Sequence, residues 1–457
     1  MNRRKFLQSG IAAMTGARLI GTAMAERVSL PEKVAELKGN ASQTILTTHE
    51  HYGDIEERID LPWNWDVQVQ YMTGHNAPVL GPDQIRNRLN APIGTHTLRE
   101  LAEGKRSAVI TFDDLTRPTP TYAVAPLIVE ELLAAGVPAE RIYFMNSCGT
   151  HRNPEQDEVA RKLGLSLLRK YTWANHNTWD NLKDVGATAH GNVIKINRSF
   201  MAPDLRITIS GVKIHGFAGY GGGSKAILPG VAGFNTVLYN HTVVMKQLIR
   251  PAAGVVSLFK NEVRSDMDEA ARLAKVDFSV QIIYNGKRQV TGIYAGDIVE
   301  AHREAARHAV KHYHTDRVAN PDIVICNSYP QSTQAGLVGK NKWISSVREG
   351  GTSVLVVQHP QGLSAMHYWE QHMEGLGGRT FLDSLATPEP ALSRNVKLIV
   401  YSQYTDKRQM SRFPSGTSFA ATWSDVLQQL QARHKGDSRV AVYPYAALQH
   451  EETELDG

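Results

Sequence analysis

The chain has 457 residues, enough for two or three domains, and its 42% hydrophobic and 21% charged residues are typical of a soluble globular enzyme. Its formal net charge is +5. Four basic residues and no acidic residue lie in the first 25 positions, so the rest of the chain carries about +1. This balance excludes a basic nucleic-acid-binding surface, and we expect no nucleic acid among the partners.

The N-terminal sequence MNRRKFLQSGIAAMTGARLIGTAMA has the order of parts of an export signal. Two adjacent arginines, Arg3 and Arg4, precede a weakly apolar stretch, and an Ala-Met-Ala cleavage site ends at Ala25. The pattern resembles a signal for the twin-arginine export machinery. Arg18 interrupts the apolar stretch and argues against stable membrane insertion. The sequence therefore predicts a signal peptide over 1–25 and a periplasmic or otherwise exported mature protein.

The predicted elements become clear after residue 60. "WDVQVQYM" (65–72) alternates as a strand does, and two short helices follow in "DQIRNRLN" and "TLRELAEG". A buried strand over 107–112, an amphipathic helix over 121–136 and a strand over 141–147 then form a β-α-β unit. Another strand covers 205–214. In the earlier segment "TTHEHYGD", His49 and His51 would point the same way on a strand, and an exposed or core pair is favoured over a metal site.

The second half of the chain repeats the alternation. A helix near 297–312 precedes strands over 322–328, 352–358 and 396–402, and a last helix covers 422–435. The sequence therefore predicts an α/β fold with two α/β domains, largely parallel sheets and a cleft between them. We place an N-terminal domain over 40–298 and a smaller C-terminal domain over 299–445.

The two cysteines, Cys148 and Cys326, are far apart and form no C-x-x-C motif. This excludes a zinc ribbon and a disulfide scaffold. Each lies beside an apolar segment, so we expect both to be small buried hydrophobic residues.

Three loops with polar side chains follow predicted strands: "FDDLTRPTP" (112–120), "NSCGTHRNP" (146–154) and "HGFAGYGGGSK" (215–225). Ligands of parallel α/β sheets bind beyond the carboxyl ends of the strands. We therefore expect one edge of the sheet to collect Asp113, Asp114, Arg117, His151, Arg152, His215 and Lys225.

The third loop is rich in glycine and contains one lysine, as phosphate-binding loops do. The P-loop needs a hydroxyl residue directly after its lysine, whereas Ser224 precedes Lys225 and Ala226 follows it. The dinucleotide fingerprint G-x-G-x-x-G also fits poorly. From these residues alone, a ligand-binding loop and a plain tight turn with a surface lysine both stay open.

Four segments taken together, "DDLTRPTP", "GTHR", "HGFAGYGGGSKAILPG" and the "NH" at 240–241, resemble the nickel-pincer-nucleotide lactate racemase family. The resemblance covers most of residues 60–340 and keeps the order and internal spacing of the motifs. It implies a 2-hydroxy acid racemase or epimerase and, as further partners, a set of cofactor-synthesis proteins.

The resemblance also assigns a cofactor, a pyridinium-3,5-bisthiocarboxylic acid mononucleotide that holds nickel. Lys225 stands at the position of the lysine that binds this nucleotide covalently as a thioamide. His241 stands at the position of the nickel-ligating histidine, and imidazole with soft sulfur donors suits nickel. The glycines would let the backbone pass close to the cofactor.

His151 and His215 match the two acid/base histidines of the family. In that family, one histidine takes the hydroxyl proton while hydride moves from C2 to the pyridinium ring, and one histidine serves each enantiomer. The ordinary pKa of histidine, about 6.5, suits this work. A core histidine held by ordinary hydrogen bonds stays open as an alternative for His215, since it follows an apolar strand.

Asp114, Leu115, Thr116 and Arg117 match the D-x-x-R positions near the cofactor, and Arg117 could hold either a phosphate or the substrate. An Asp–Arg pair that caps the next helix is the alternative. In the second domain, Lys340 matches the family's substrate-binding lysine, but Leu337 replaces its glutamine. Unless Gln331 or Gln334 supplies the polar contact, this change favours a larger or more apolar 2-hydroxy acid than lactate.

Two other classes of protein compete with a racemase. The first is an exported small-molecule binding protein that keeps the fold without redox catalysis. The second is a hydrolase or phosphotransferase with a glycine-rich phosphate loop. The joint presence of His151, His215, Lys225 and His241 argues against the first, and the missing hydroxyl residue after Lys225 argues against the second.

Overall fold

The computed structural model describes residues 42–247, 257–334, 343–362, 395–405, 413–451 and 455. Within this part of the chain the strands are β1 (Ser42–Thr48), β2 (Ile55–Leu61), β3 (Asp66–Val69), β4 (Ala108–Phe112), β5 (Ile142–Asn146), β6 (Thr172–Asn175), β7 (Leu182–Ala187), β8 (Val193–Asn197), β9 (Leu205–Gly211), β10 (Ile214–His215), β11 (Gly219–Tyr220), β12 (Phe278–Tyr284), β13 (Val290–Gly296), β14 (Ile323–Asn327), β15 (Thr352–Val356), β16 (Lys397–Tyr401), β17 (Ser418–Ala420) and β18 (Arg439–Tyr443).

The helices lie between these strands and are α1 (Pro82–Leu89), α2 (Leu98–Ala102), α3 (Ala125–Ala134), α4 (Gln156–Leu163), α5 (Leu165–Lys170), α6 (Arg198–Met201), α7 (Phe234–Thr242), α8 (Glu262–Leu273), α9 (Glu300–His312) and α10 (Trp423–Arg433). Local sequence sets several of their ends. Thr97 and Glu100 form a capping box at the start of α2, and the Asn261 side chain caps α8. Gly136, with φ +91°, follows the end of α3 as predicted.

The first six-stranded sheet has the order β13-β12-β9-β4-β5-β6. All neighbours are parallel except β12 and β13, which pair antiparallel. All five residues of β4 are buried, and so are all seven of β12, because helices or loops cover both faces of this sheet. The three strands β9, β4 and β5 are consecutive neighbours, so their carboxyl ends lie side by side.

The second six-stranded sheet is parallel throughout, in the order β17-β16-β15-β14-β18-β3. The α/β class with two largely parallel sheets is therefore confirmed. β3 comes from the N-terminal part of the sequence but pairs with β18, while α9 packs on β12 and β13 of the first sheet. Ser42–Gly457 forms one compact unit that contains both sheets, and the predicted boundary between 298 and 299 and the predicted cleft stay predictions.

Three further expectations concern single features. Both cysteines are buried and free, as predicted. The predicted strand over 205–214 ends early, at Gly211, and Ile214 and His215 instead form the short hairpin β10–β11 with Gly219 and Tyr220. None of the helices in the described ranges has the length and apolar character that a membrane crossing needs.

Candidate active site

The three loops singled out in the sequence follow β4, β5 and β9, which are neighbours in the first sheet. Because these strands are parallel, the loops meet at the carboxyl edge of the sheet. Backbone contacts join two of them directly, since Gly149 N–H donates to the Gly230 carbonyl at 3.0 Å. The polar side chains of the loops are thus gathered in one region.

Asp114 and His151 form a buried hydrogen-bonded pair. His151 Nδ1 lies 2.7 Å from Asp114 Oδ2. The other carboxylate oxygen of Asp114 accepts from the Thr116 backbone N–H at 2.8 Å and from its hydroxyl at 2.5 Å. Arg117 Nη1 in turn donates to the Thr116 hydroxyl at 2.8 Å. This chain of contacts fixes the orientation of the carboxylate and, through it, of the His151 ring.

Charge controls the ionisation of Asp114. Burial opposes its ionisation, but the attraction of His151, the hydrogen bonds from His151 and Thr116, and the positive charge of Arg117 together lower its pKa below the ordinary value. Asp114 is therefore a carboxylate at neutral pH. A carboxylate beside an imidazole orients the ring and stabilises its protonated form.

Phe217 lies at the centre of the other three predicted residues. Its ring is edge-on to His215, with the centroids 4.4 Å apart, and edge-on to His241, with the centroids 4.8 Å apart. The Lys225 Nζ atom lies 5.3 Å from the same ring centroid. Two residues of the glycine-rich loop and one residue of α7 thus surround one aromatic side chain, which the sequence had not singled out.

The Lys225 side chain lacks an ionic partner among the residues that the structure describes, and no hydrogen bond to it is found there either. Desolvation lowers its pKa well below 10.5, and the positive charges of Arg264 and Arg117 lower it further. A lysine in such surroundings has a larger fraction of neutral, nucleophilic amine than an exposed lysine has.

The two histidines beside Phe217 are held neutral. Burial and the cations Lys225, Arg117, Lys213 and Arg264 keep the pKa of His215 well below 6.5. Burial, helped by Lys225 and His151, lowers the pKa of His241 to about 3, although a hydrogen bond to the Val237 backbone acts in the opposite direction. The hydrogen bond from Gly149 to Gly230 joins the loop that carries His151 to the segment that follows Lys225.

Two buried side chains outside the predicted set hold the glycine-rich loop. The Arg264 guanidinium donates to the carbonyls of Ala218, Tyr220 and Gly222, and His302 Nε2 lies 2.7 Å from the Gly221 carbonyl. The neutral form of His302 donates there, because burial lowers its pKa well below 6.5. A sequence signal for these residues was absent, since α8 and α9 showed only ordinary amphipathic patterns.

Arg117 is held through its backbone as well. Its carbonyl accepts from Lys162 Nζ at 3.0 Å and lies 3.2 Å from His51 Nε2. The next carbonyl back, that of Thr116, accepts from Gln331 Nε2 at 2.9 Å. Gln331 belongs to the loop after β14, so the second sheet contributes a direct contact to the loop that carries Asp114.

A small pocket opens beside the Asp114–His151 pair. Its lining residues are Asp114, Leu115, Thr116, His151, Arg152, Pro154, Glu158, Thr333 and Gln361. Arg152 is bound by Glu158 in a two-pronged ion pair, so its charge is already balanced. Lys340 and Leu337 lie outside the described residues, and only the backbone of Gln334 is described.

These features agree with what comparison with known proteins finds. Residues 52–251 match the family described as the lactate racemase N-terminal domain. Two lactate racemases, from Lactiplantibacillus plantarum and Thermoanaerobacterium thermosaccharolyticum, are each 28% identical to this chain. The alignments cover 70% and 68% of this chain and 76% and 74% of the relatives.

The chain is similar to lactate racemases, and its residues 52–251 match their N-terminal domain. It is accordingly an isomerase of the racemase type. Among solved structures, the lactate racemase apoprotein of T. thermosaccharolyticum shares its fold with a TM-score of 0.67 at 22% identity, over 90% of this chain and 99% of that one. A protein of Thermotoga maritima matches with a TM-score of 0.60 at 17% identity, over 81% and 98%.

One expectation for this lactate racemase-like chain is wrong. His49 and His51 do not share a strand, because both have left-handed backbone, with φ +59° and +66°. They lie in a turn between β1 and β2, and both are buried. Within the described residues, no three His, Cys, Asp or Glu side chains converge as a metal site.

Proposed function

We propose that this protein inverts C2 of a small 2-hydroxy acid, with His151 and His215 as the two acid/base residues. The arrangement around Phe217 carries this proposal, because His215, Lys225 and His241 all lie against its ring, and a hydrogen bond from Gly149 to Gly230 joins the loop of His151 to the segment after Lys225. Oxidation of C2 to a keto group and its reduction again need a base that takes the hydroxyl proton and an acid that returns it. Histidine can serve both roles near neutral pH.

Asp114 prepares His151 for this work. Because the Nδ1 side of the ring faces the carboxylate, Nδ1–H donates to Asp114, and Nε2 is the nitrogen that can face a substrate hydroxyl. The carboxylate stabilises the imidazolium that forms when Nε2 takes the hydroxyl proton. Thr116 holds the second carboxylate oxygen, so the ring keeps its direction during the transfer.

His215 has a different electrostatic setting, and the proposed reaction changes it. Without substrate, burial, Lys225 and Arg117 keep its pKa well below 6.5. A substrate carboxylate bound beside this ring would add a negative charge and raise the pKa of His215. The ring would therefore be a better proton acceptor with substrate in place.

The residues present fit the nickel-pincer nucleotide that the family resemblance implies. Lys225 offers a partly neutral amine, the form that an amide-type bond requires, and no carboxylate among the described residues competes for it. His241 stays neutral, with a pKa of about 3, and neutral imidazole is the form that binds nickel. When bound, the nucleotide supplies the pyridinium carbon that accepts and returns the hydride of substrate C2.

The remaining contacts follow from the same placement. Asp114, Leu115, Thr116 and Arg117 would lie along the nucleotide, and Arg117 or Lys340 would bind the substrate carboxylate. The pocket beside His151 has Thr333 and Gln361 among its walls, but most of its accessible surface is apolar. This agrees with the larger or more apolar 2-hydroxy acid that Leu337 favours.

The cofactor assignment is tested by intact-mass analysis of protein produced together with the cofactor-synthesis enzymes. Wild type should carry a covalent adduct and nickel, Lys225→Ala should lose the adduct, and His241→Ala should keep the adduct but lose nickel. Lys195→Ala, which changes an exposed lysine, is the control. An equal adduct on wild type and Lys225→Ala would refute the assignment of Lys225.

The acid/base assignment is tested with separate enantiomers of several 2-hydroxy acids. His151→Ala and His215→Ala should each lose racemisation in both directions by about 10²–10⁴-fold while keeping nickel. His96→Ala, an exposed histidine, should match wild type. Wild-type rates in both site variants would refute the mechanism. Tight binding of a hydroxy acid by wild type without adduct or turnover would instead favour the exported binding protein.

We also propose export by the twin-arginine route, supported by Arg3, Arg4 and the Ala-Met-Ala site that ends at Ala25. These residues lie outside the described part of the chain. Replacement of both arginines by lysine should keep the protein in the cytoplasm, as measured by cell fractionation. Normal export of that variant would exclude the route.

A further inference from the structure

The turn between β1 and β2, residues 49–54, contacts both loops that the proposed reaction uses. We call it the 49–54 turn. The sequence "HEHYGD" offered no role for it, and the proposed function assigns it none. Its charged and aromatic side chains are largely buried, although a turn between two strands is ordinarily exposed. Buried polar side chains in such a place need partners, and their partners show what the turn holds.

The first set of partners is on the second sheet. Glu50 is fully buried, and its carboxyl group accepts from the Ser332 backbone N–H and from the Ser332 hydroxyl, the latter at 2.8 Å. Ser332 lies in the loop after β14, directly before Thr333, which lines the pocket beside His151. Burial raises the pKa of Glu50 to about 7.

The second set of partners is on the loop after β4. His51 Nε2 lies 3.2 Å from the Arg117 carbonyl, and its Nδ1 lies 2.9 Å from Arg288 Nη1. Arg288 can only donate, so Nδ1 accepts and Nε2–H donates to Arg117. Both contacts exist together only in the neutral ring. Burial, Arg288 and Lys162 keep the pKa of His51 well below 6.5, which favours that form.

A third side chain of the turn closes the connection. Asp54 forms an ion pair with Arg288 and accepts from the Tyr329 hydroxyl at 2.9 Å. Tyr329 lies in the same loop as Ser332. A continuous series of contacts therefore runs from Tyr329 through Asp54, Arg288 and His51 to the Arg117 carbonyl, and Gln331 crosses directly to the Thr116 carbonyl.

The backbone of the turn supports a functional reading. His49, His51 and Asp54 all have positive φ, which side-chain-bearing residues seldom adopt. Such strain persists only where surrounding contacts determine it, and it concentrates at functional sites. In this turn the left-handed backbone lets the side chains of adjacent residues reach two different loops.

We propose that Glu50 and His51 are positioning residues that hold residues 329–333 of the loop after β14, which include the pocket-lining Thr333, in register with the loop that carries Asp114 and Arg117. The inference rests on the proposed function for its meaning in catalysis. The mechanical link itself is a property of the protein without cofactor or substrate. The two parts can therefore be tested separately.

Hydrogen exchange measured by mass spectrometry tests the link in the full-length protein. Glu50→Ala should speed exchange about tenfold or more in peptides that span 329–334 and also in peptides that span 113–118. Exchange in β5 should not change. Glu50→Gln should stay close to wild type, because an amide oxygen can still accept from the Ser332 N–H. Glu56→Ala, an exposed glutamate six residues along the same hairpin, is the matched control.

Kinetics of the loaded enzyme test the catalytic meaning. Glu50→Ala and His51→Asn should lower kcat/KM by about 10²-fold, mainly through KM, because substrate contacts come from both loops. Asparagine tolerates left-handed backbone but is too short to reach the Arg117 carbonyl. Glu50→Gln should restore most of the loss. Should Glu50→Ala fail to fold, Ser332→Ala removes one of the same hydrogen bonds and should give a smaller effect of the same kind.

Faster exchange at 329–334 with unchanged exchange at 113–118 would overturn the proposal, since the loops would then move independently. Coupled exchange with an unchanged KM would also overturn it, because the link would have no bearing on substrate. If wild type shows no racemisation at all, the proposed function fails, while the exchange result still decides whether the link exists.

Discussion

The glycine-rich loop (216–225) and the 49–54 turn both contain left-handed backbone, but they reach it with different residues. In the loop, Gly219, Gly222 and Gly223 have φ values of +68°, +78° and +59°. In the turn, His49 and His51 have φ values of +59° and +66° and carry full side chains. Glycine adopts such angles at no steric cost, whereas other residues are strained there.

Packing explains the difference. A Cβ on Gly223 would lie 2.6 Å from His302 Cγ, and one on Gly222 would lie 2.8 Å from Gln281 Oε1, so side chains are excluded from this part of the loop. In the turn the side chains make the contacts, since His51 bonds Arg117 and Arg288. The loop is thus shaped for close approach of its backbone, and the turn for reaching other loops with its side chains.

The two regions share one property, a dependence on neutral histidine, and acid should disrupt both. Eleven described histidines have pKa values lowered mainly by burial, and the shift is large in seven of them: His51, His176, His215, His241, His302, His312 and His359. The unfolded chain takes up protons on these residues near pH 6.5, before the folded protein does. Stability is therefore fully present above pH 6.5 and is lost as the pH falls below it.

The acid effect should be the largest of those considered. Each of these histidines contributes up to about 1.4 kcal/mol per pH unit, so the free energy of unfolding should fall by roughly 5–10 kcal/mol between pH 7.5 and 5.5. Glu50, whose pKa burial raises to about 7, acts in the opposite direction over this range and offsets part of the loss. Urea unfolding at the two pH values measures the change, and equal stabilities would contradict it.

Substitution of Gly223 by alanine should give the next largest effect. The new methyl group meets the His302 ring and the backbone is held at φ +59°, so we expect a loss of about 2–4 kcal/mol in the free energy of unfolding. Gly216→Ala is the matched control in the same loop. That position has open space around it, and the change should stay within about 0.5 kcal/mol. Similar losses in both variants would show that packing against His302 is not the reason for Gly223.

The contrast between the two regions also shows what sequence could predict. The buried strands of the first sheet follow from apolar runs such as "SAVITF", and three loops after neighbouring parallel strands meet by geometry alone. The composition of the glycine-rich loop alone predicts either a ligand-binding loop or a tight turn. Family resemblance then selected His151, His215, Lys225 and His241, and the structure brings His215, Lys225 and His241 around Phe217.

The rest depends on contacts between distant segments, which leave little local pattern. β3 reads as an ordinary alternating strand, and its pairing with β18 in the second sheet is a tertiary property. Arg264 and His302 lie on amphipathic helices whose patterns give no sign of the loop that they hold. Gly53 is the one residue of "HEHYGD" of the types, glycine and asparagine, that usually mark left-handed backbone. The sequence therefore did not indicate the left-handed conformation of the other residues in this turn.

Glycine in the 49–54 turn should destabilise the protein, although it relieves backbone strain. His51→Gly removes the hydrogen bonds to Arg117 and Arg288, one of which involves a charged group. We expect a net loss of about 1–3 kcal/mol in the free energy of unfolding, since the lost contacts outweigh the relief. Thermal or urea unfolding measures it. A more stable His51→Gly protein would show that the side-chain contacts of His51 do not compensate for its strained backbone.

The same substitution at Lys275 should have a small effect of opposite sign. Lys275 has φ +52° directly after the end of α8, the position where glycine most often terminates helices. Its side chain is exposed, and its carbonyl, which accepts from Arg206 Nε at 2.7 Å, is kept by any residue. Glycine relieves roughly 1–2 kcal/mol of left-handed strain but makes the unfolded chain more flexible by about 0.5–1 kcal/mol. We therefore expect Lys275→Gly to stabilise the protein by about 0.5 kcal/mol in urea unfolding at pH 7.5. A shift of stability in the same direction for Lys275→Gly and His51→Gly would contradict this explanation. It would show that side-chain contacts do not decide which strained residues glycine can replace without a loss of stability.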